Sequence, residues 1–417
     1  MKAVIISIGD EILNGTTVNT NASWISTQIQ PIGIDIYEVV SISDNAAHIL
    51  ATLNHFVSNV DIILITGGLG PTKDDITKKT ICTYFNSELV FHPEIYARLK
   101  AAFEKRNIPF TENNRDQAMY PDNCTILDNP LGTAQGMWFE KDNTVIACMP
   151  GVPFEMKGLM TNQVLPKILK RFNFPAIVNK YFMTSGISES FLANKLEPLE
   201  AILPEHITLA YLPTPAVVKL RLTARGNDEN QLEQDLTAIT NQMRAILGAG
   251  IYAEEPIPLE QHIGNQLKAL NATLATAESI TGGKVAHKIT LIPGSSDYFR
   301  GTIVAYHRSV KEQLLKVSTT TLDKYTPVSE ETAMEMLDGI LSAMGTDFGI
   351  AITGNADPTT DGKTENVGTV FIAVGSKTEK RVKKHFFNKN REVNIEYACM
   401  FSLHELRILL TEYLVKA

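Results

Sequence analysis

Apolar and polar positions alternate in blocks along the first third of the chain. KAVIISIG, IDIYEVVS and DIILITGG are short β-branched runs. Between them, TNASWISTQIQPIG and DNAAHILATLNHFVSNV carry their apolar residues at helical spacing. Short continuous apolar runs separated by helical periods predict β-α-β units and a parallel sheet covered on both faces. The pattern continues through PEIYARLKAAFEKRN, a hairpin at GMWFEKDNTVIACMPG and a helix from Phe154 to about Arg171. Asn173-Phe174-Pro175 reads as a boundary.

Residues 180–253 follow a different order. KYFMTSG, SESFLANKLEPLE, ITLAYLP, VVKLRLTARG, a helix from about Asp228 to Leu247 and GIYAE predict β-α-β-β-α-β, a small ferredoxin-like or KH-like domain. Pro256 and Pro258 mark a second boundary, after which the first pattern returns. TLATA, GTIVAY, DFGIAIT and VGTVFIAV are separated by helical stretches, with a closing helix from about Val393. The expected fold class is α/β: two three-layer α/β domains with mainly parallel sheets, residues 1–172 and 255–417, joined by a small α+β domain over 175–254.

Composition narrows the function. A chain of 417 residues exceeds one comfortable core, which agrees with several domains. A net charge of −8 argues against a general nucleic-acid binder. Lys219, Arg221 and Arg225 fall at strand spacing without a GXXG loop or aromatic pair, so they read as a solvated sheet face. Cys82, Cys124, Cys148 and Cys399 have no paired or metal-type spacing and fit a reducing cytoplasm. No segment approaches the ~20 apolar residues of a membrane span, and the N-terminus lacks a signal-type apolar stretch. The expected location is cytoplasmic.

Candidate chemistry sits where the apolar runs stop. DIILIT runs into GGLGPTKDD, residues 67–75. Gly67, Gly68 and Gly70 thus follow a parallel strand at its carboxyl end, where open α/β sheets place their ligands. Glycines let backbone N–H groups approach a phosphate. Asp74 and Asp75 suit a divalent metal beside phosphates, or a cap on the helix that follows, and either could do both. Asp10 and Glu11 in GDE end the first strand at the same expected sheet edge, and NTN at 19–21 opens a helix.

ATAESITGG, residues 275–283, has the same form near the other end of the chain. Ser279 stands at a strand-to-helix turn, where a hydroxyl can act as a nucleophile facing backbone donors near Gly282 and Gly283. A plain helix cap by Ser279 or Thr281 is the alternative. Serine needs a base, because its hydroxyl is scarcely ionised at neutral pH. Lys311 can serve if burial lowers its pKa towards ~7–8, and His307 is the rival.

The motifs, in order, resemble the CinA (competence/damage-inducible protein A) family. SIGDEILNG, NTN, TGGLGPTKDDIT, NPLGTAQG and MPGVPFEM, over roughly residues 1–170, are similar to its molybdopterin-binding-like domain. That resemblance implies metal-dependent ADP-ribose pyrophosphate hydrolysis. Its substrate and metal contacts would lie around Asp10, Glu11, Gly67, Gly68, Gly70, Asp74, Asp75 and Thr133. ATAESITGG, PGSSDYFRGTIVAY, Lys311, PVSEETAMEM, AITGNADP and VGTVFIA, over about 257–415, resemble the nicotinamide-nucleotide amidohydrolase (PncC-like) domain. This second resemblance implies conversion of nicotinamide mononucleotide to nicotinate mononucleotide and ammonia, without a metal. In it Ser279 is the nucleophile and Lys311 its base. Ser296, Tyr306 and Thr353 are supporting or substrate-contacting hydroxyls, and Thr281, Gly282, Gly283 and Arg391 line the substrate.

The sequence departs from the family pattern at several points. Gln135 replaces the proline of GTAPG, and Leu69 stands where molybdopterin binders carry TGGTG. Arg391 lacks the family's second arginine, and Asp357 replaces a glycine in AITGNADP. Small nucleotides are the expected partners and a homodimer the expected assembly. The alternative is a nucleotide- or molybdopterin-binding accessory protein in competence or the DNA damage response, without turnover. The joint presence of Ser279 and Lys311 argues against it for the C-terminal domain.

Overall fold

The apolar runs of the first third become strands of one six-stranded sheet in the computed structural model. The structure describes residues 1–416 other than 71, 73, 74, 106, 108, 111–113 and 357–366. The strands are β1 (Lys2–Ile8), β2 (Asp35–Ile42), β3 (Ile62–Thr66), β4 (Leu89–Phe91), β5 (Met119–Pro121), β6 (Thr125–Leu127), β7 (Gly136–Lys141) and β8 (Thr144–Met149). β4 and β5 form a separate ribbon, and the sheet runs β2-β1-β3-β8-β7-β6. β1 is parallel to β2 and β3, and β3 to β8. β7 and β6 extend the sheet antiparallel, because Asp142 and Asn143 at φ 50° and 66° form the tight turn that returns β7 into β8.

Successive strand residues enter two cores, one on each face. Val4, Ile6, Ile63 and Ile65 pack with Ile49, Leu53 and Phe56 of the helix Ala46–Phe56. Ala3, Ile5, Ile62 and Leu64 pack with Ala22, Ile25 and Ile29 of the helix Thr20–Ile29. Both faces are covered, so β3 and β8 are buried at every position and read as continuous apolar runs. The helix expected from Phe154 carries a π turn at Met160–Val164, just before Pro166, which has no N–H to continue the ladder.

The chain divides into two compact units, Met1–Ile177 and Val178–Ala417. The second holds two sheets. β9 (Ala176–Ser185, its first two residues in the other unit), β10 (Ile207–Thr214), β11 (Val217–Gly226) and β12 (Ile251–Ala253) form one in the order β10-β11-β9-β12. The helices Glu189–Glu200 and Glu229–Leu247 complete the β-α-β-β-α-β succession. β13 (Leu274–Glu278), β14 (Phe299–Val304), β15 (Phe348–Gly354), β16 (Thr369–Ser376) and β17 (Lys380–Phe386) form the other, ordered β14-β13-β15-β16-β17. β13 is parallel to both its neighbours, and β16 and β17 add an antiparallel margin.

This sheet too is a middle layer. Leu274, Ile350, Ile352 and Ile372 meet the helices Leu259–Ala269 and Arg391–Lys416. Ala275, Ala277, Ala351 and Ala373 meet Glu330–Met344. The small side chains on that second face let the helix lie close. Parallel pairing has one consequence for chemistry: the loops after β1, β2, β3 and β8 share one edge, and those after β13, β14 and β15 share another.

Candidate functional site

Loops from the shared edge of the first sheet wall a cavity of about 440 Å³. Its floor is a glycine turn that tolerates no side chain. Gly67 has φ 111°, and a Cβ there would lie 2.1 Å from the Ile8 carbonyl oxygen. Gly68 has φ 64°, and its Cβ would lie 2.0 Å from Thr77 Oγ1. Only glycine lets the chain pass there. The walls are tied across strands. Asn19 caps Thr20–Ile29 through Ala22 N–H and donates to Ser7 Oγ at 2.9 Å. Asn21 Nδ2 donates to Thr66 Oγ1 at 3.0 Å and to the Gly151 carbonyl at 2.7 Å. Asn21 Oδ1 is buried without a partner among the described residues.

Carboxylates, Glu155 included, are among the wall residues. Glu11 and Asp75 line the cavity, with Gly67, Gly68, Gly70 and Thr133. Asp10 shares the turn of Glu11 but is not a wall residue. Asp74, like Asp357 of the other domain, lies outside the described residues. Asp75 accepts from Thr72 N–H at 2.9 Å and from its hydroxyl. It does not cap the next helix, Thr77–Tyr84, which has no side-chain cap. Asp44 is a wall residue that the sequence reading missed. Burial raises its pKa, and the neighbouring Asp10, Glu11 and Asp75 raise it further, against a bond from Asp10 N–H. The signal was its place just beyond β2, beside the end of β1.

Among the described residues, no three His, Cys, Asp or Glu side chains are placed to enclose a metal ion. The oxygen donors fit a hard cation held by one or two carboxylates, with waters and ligand oxygens completing its shell, which is the usual manner of Mg²⁺. Gln135 also explains its departure from proline. Its backbone N–H donates to Tyr120 Oη at 2.8 Å, a bond proline could not make, and its side chain accepts from Asn129 N–H at 2.7 Å. The loop bearing Thr133 is held by amide bonds in place of a stiff ring.

At the edge of the third sheet, Ser279 follows β13 and its N–H bonds Ile352 O across to β15. Lys311, in the helix Arg308–Gln313, is 2% exposed, and its Nζ lies 3.0 Å from Ser279 Oγ and 2.5 Å from the Ala305 carbonyl. It makes no ion pair among the described residues. Burial alone lowers its pKa to about 8. The rival base is elsewhere employed: His307 caps the same helix, accepting from Ser309 N–H at 3.2 Å. Tyr306, exposed beside Ala305, accepts from Arg391 Nη2 at 2.9 Å.

Sequence reasoning also missed Glu278, which is fully buried directly before Ser279. Its carboxylate accepts from the hydroxyls of Thr276, Thr281 and Thr302 and from Gly283, Val285 and Ala286 N–H. It therefore fills the N-terminus of the helix Lys284–Thr290 and fixes the turn. Glu278 and the neighbouring bonds bear on five of the expected residues. Gly283 N–H is engaged by Glu278 and Gly282 N–H by the Ser279 carbonyl, so neither is an oxyanion donor as the turn stands. The Thr281 hydroxyl donates to Glu278 at 2.7 Å and supports the turn in place of facing substrate. Thr353 donates to the Pro327 carbonyl at 2.6 Å, which occupies its proton. Ser296 is exposed and precedes β14, whose start pairs with the start of β13. Within one chain it sits at the opposite edge from Ser279, roughly 17 Å of strand away.

Comparisons with known proteins cover nearly the whole chain. Residues 4–170 match a model described as a probable molybdopterin binding domain, 179–253 the damage-inducible protein CinA KH domain, and 257–410 the CinA C-terminal domain. The CinA-like protein of Flavobacterium psychrophilum is 44% identical over 402 residues, 95% of this chain and 96% of that one. The CinA-like protein of Cytophaga hutchinsonii is 40% identical over 412 residues, 98% of each. Among solved structures, the competence damage-inducible protein A of Klebsiella pneumoniae is 29% identical, covering 37% of this chain and 95% of that one, with a TM-score of 0.36. Among the described residues, no helix is long and apolar enough to cross a membrane.

Proposed function

The chain belongs to the CinA family, and from that premise we propose that its C-terminal domain hydrolyses the carboxamide of nicotinamide mononucleotide to nicotinate mononucleotide and ammonia. The observation that carries this reading is the buried contact between Lys311 Nζ and Ser279 Oγ at 3.0 Å. A lysine with a pKa of about 8 is neutral in roughly a tenth of molecules at pH 7, against about one in three thousand for an unshifted side chain. The neutral amine takes the Ser279 proton as Oγ bonds to the amide carbon. The N–H groups of Ile280 and Thr281, which follow in the turn, are the candidates for holding the oxyanion. As the C–N bond breaks, Lys311 returns the proton to departing ammonia. Water then gives a proton to Lys311 and cleaves the ester, and Ser279 recovers its own. Binding alone would need no such pair. Tyr306 and Arg391, bonded to each other at 2.9 Å, suit the nucleotide phosphate.

The N-terminal domain, on the same proposal, is a metal-dependent ADP-ribose pyrophosphatase. A 440 Å³ cavity beyond the carboxyl ends of parallel strands, with Glu11, Asp44 and Asp75 on its wall, supports it. A divalent ion bound there would polarise a phosphoryl oxygen and acidify a water. The protein's part is to hold the diphosphate over the glycine turn with those carboxylates beside it. We place the protein in the cytoplasm as a homodimer acting on small nucleotides. Incubation with nicotinamide mononucleotide and with ADP-ribose, each with and without EDTA, tests both halves. Ammonia release insensitive to EDTA and ADP-ribose cleavage abolished by it are the expected results. No turnover of either would favour the accessory-protein reading.

A further inference from the structure

A second, smaller cavity of about 180 Å³ adjoins the first and shares Gly70 and Asp75 with it. Lys78, Lys79, Asp116 and Gln117 are also on its wall. We propose that this annex is a subsite for the sugar-phosphate end of a diphosphate-linked nucleotide whose other end lies in the main cavity. The proposal rests on the ADP-ribose reading for the choice of ligand.

Two independent features point to a ligand. The first is a cation without a carboxylate partner among the described residues. Lys78 Nζ donates to the Asp116 backbone carbonyl at 2.7 Å and lies 4.7 Å from the centre of the Tyr120 ring, and it makes no ion pair among the described residues. An ammonium has three donors, so N–H groups remain for an anion. Exposed Lys79 stands beside it. Among the described residues, the negative groups that face Lys78 are Asp75 and Asp116. Asp75 is turned to Thr72, and Asp116 holds the ammonium through its main chain. The second feature is an acceptor without a donor: Gln117 is 6% exposed, and its Oε1 is buried and unpartnered among the described residues. Buried polar groups in folded proteins are nearly always paired. A phosphate on Lys78 and a sugar hydroxyl on Gln117 would satisfy both, and a phosphorylated pentose carries both groups.

Burial lowers the Lys78 pKa to about 8, so an anion that prefers the charged amine should bind less well as pH rises past that value. Isothermal titration of the full chain with ribose 5-phosphate, AMP and ADP-ribose tests the assignment. Lys78→Met should weaken ribose 5-phosphate and ADP-ribose by roughly tenfold or more, and Gln117→Leu should weaken them less, with AMP unchanged. Wild-type affinity for ribose 5-phosphate should fall between pH 7 and pH 9, and Lys78→Arg should remove that fall. Equal affinity of wild type and Lys78→Met for ribose 5-phosphate, or no binding to either, overturns the subsite. The two readings can fail separately. Lys78-dependent binding of ribose 5-phosphate without any cleavage of ADP-ribose would sink the hydrolase reading and keep the subsite. Cleavage of ADP-ribose with KM unchanged in Lys78→Met and Gln117→Leu would do the reverse.

Discussion

Replacing Lys311 by Met should destroy ammonia release and make the second unit more stable, and the two effects have one cause. The folded protein holds an amine that is 2% exposed, without a counter-charge among the described residues, at a pKa of about 8 against the ordinary 10.5. A pKa change of one corresponds to about 1.4 kcal/mol, so keeping this lysine protonated in the fold costs on the order of 3 kcal/mol at neutral pH. The sign follows from proton counting. Between pH 8 and 10.5 the unfolded chain binds more protons than the folded one, so wild-type stability gains with pH across that window. Below pH 8 the cost is present in full, and above about 10.5 it is gone. Methionine keeps the apolar stem without the charge, but it gives up the contacts with Ser279 Oγ and Ala305 O. A net gain of roughly 1–3 kcal/mol at pH 7 is expected, shrinking as pH approaches 10. Trp24 and Trp138 are the chain's two tryptophans, and both lie in Met1–Ile177. A urea transition seen by far-UV circular dichroism but not by tryptophan fluorescence therefore reports Val178–Ala417. A variant less stable than wild type at pH 7, with a difference that does not change up to pH 10, would refute the claim that Lys311 is held against its charge.

Ser279→Ala and Lys311→Ala should each lower ammonia release from nicotinamide mononucleotide by roughly 10² or more, and the double variant should lose no more than the worse single one. His307→Ala should keep most activity, since that ring serves as a helix cap, and a dead His307→Ala beside an active Lys311→Ala would reverse the assignment. Glu278→Gln should lower kcat by about 10² with KM little changed, because an amide NH₂ would oppose the N–H groups of the turn and displace Ser279; an equal rise in KM would show a wider disturbance. Asp44→Asn should weaken metal activation of ADP-ribose cleavage and leave ammonia release intact, as measured by titrating the divalent ion against each activity. In wild type that activation should weaken as pH falls, since protons compete for Asp44 at a raised pKa.

The parallel topology accounts both for the features legible in the sequence and for those it hid. Continuous apolar runs such as IILIT and TLATA marked strands buried on both faces, and the glycines and hydroxyls just beyond each run marked the ligand edge. Ser279 and Lys311 were legible as a candidate pair because a hydroxyl at a strand end and a lysine able to take its proton are recognisable by residue type, even 32 positions apart. Asp44 was not, because one aspartate in SISDN looks like any polar residue ahead of a helix; it matters only because β2 lies beside β1. Glu278 was hidden for a related reason. Residue type cannot tell a carboxylate aimed at solvent from one drawn back into the next helix, and the bonds to Gly283, Val285 and Ala286 exist only in three dimensions. Ser296 is the instructive case. The motif that carries it, PGSSDYFRGTIVAY, spans a whole strand, so its two ends must lie at opposite edges of the sheet. Tyr306, after β14, reaches the edge of Ser279, and Ser296, before β14, cannot do so within the same chain. A motif read as one site thus contains residues that a single parallel strand keeps apart. The rule transfers to both α/β units: a residue before a parallel strand does not share an active edge with a residue after its neighbour, however close the two stand in the motif.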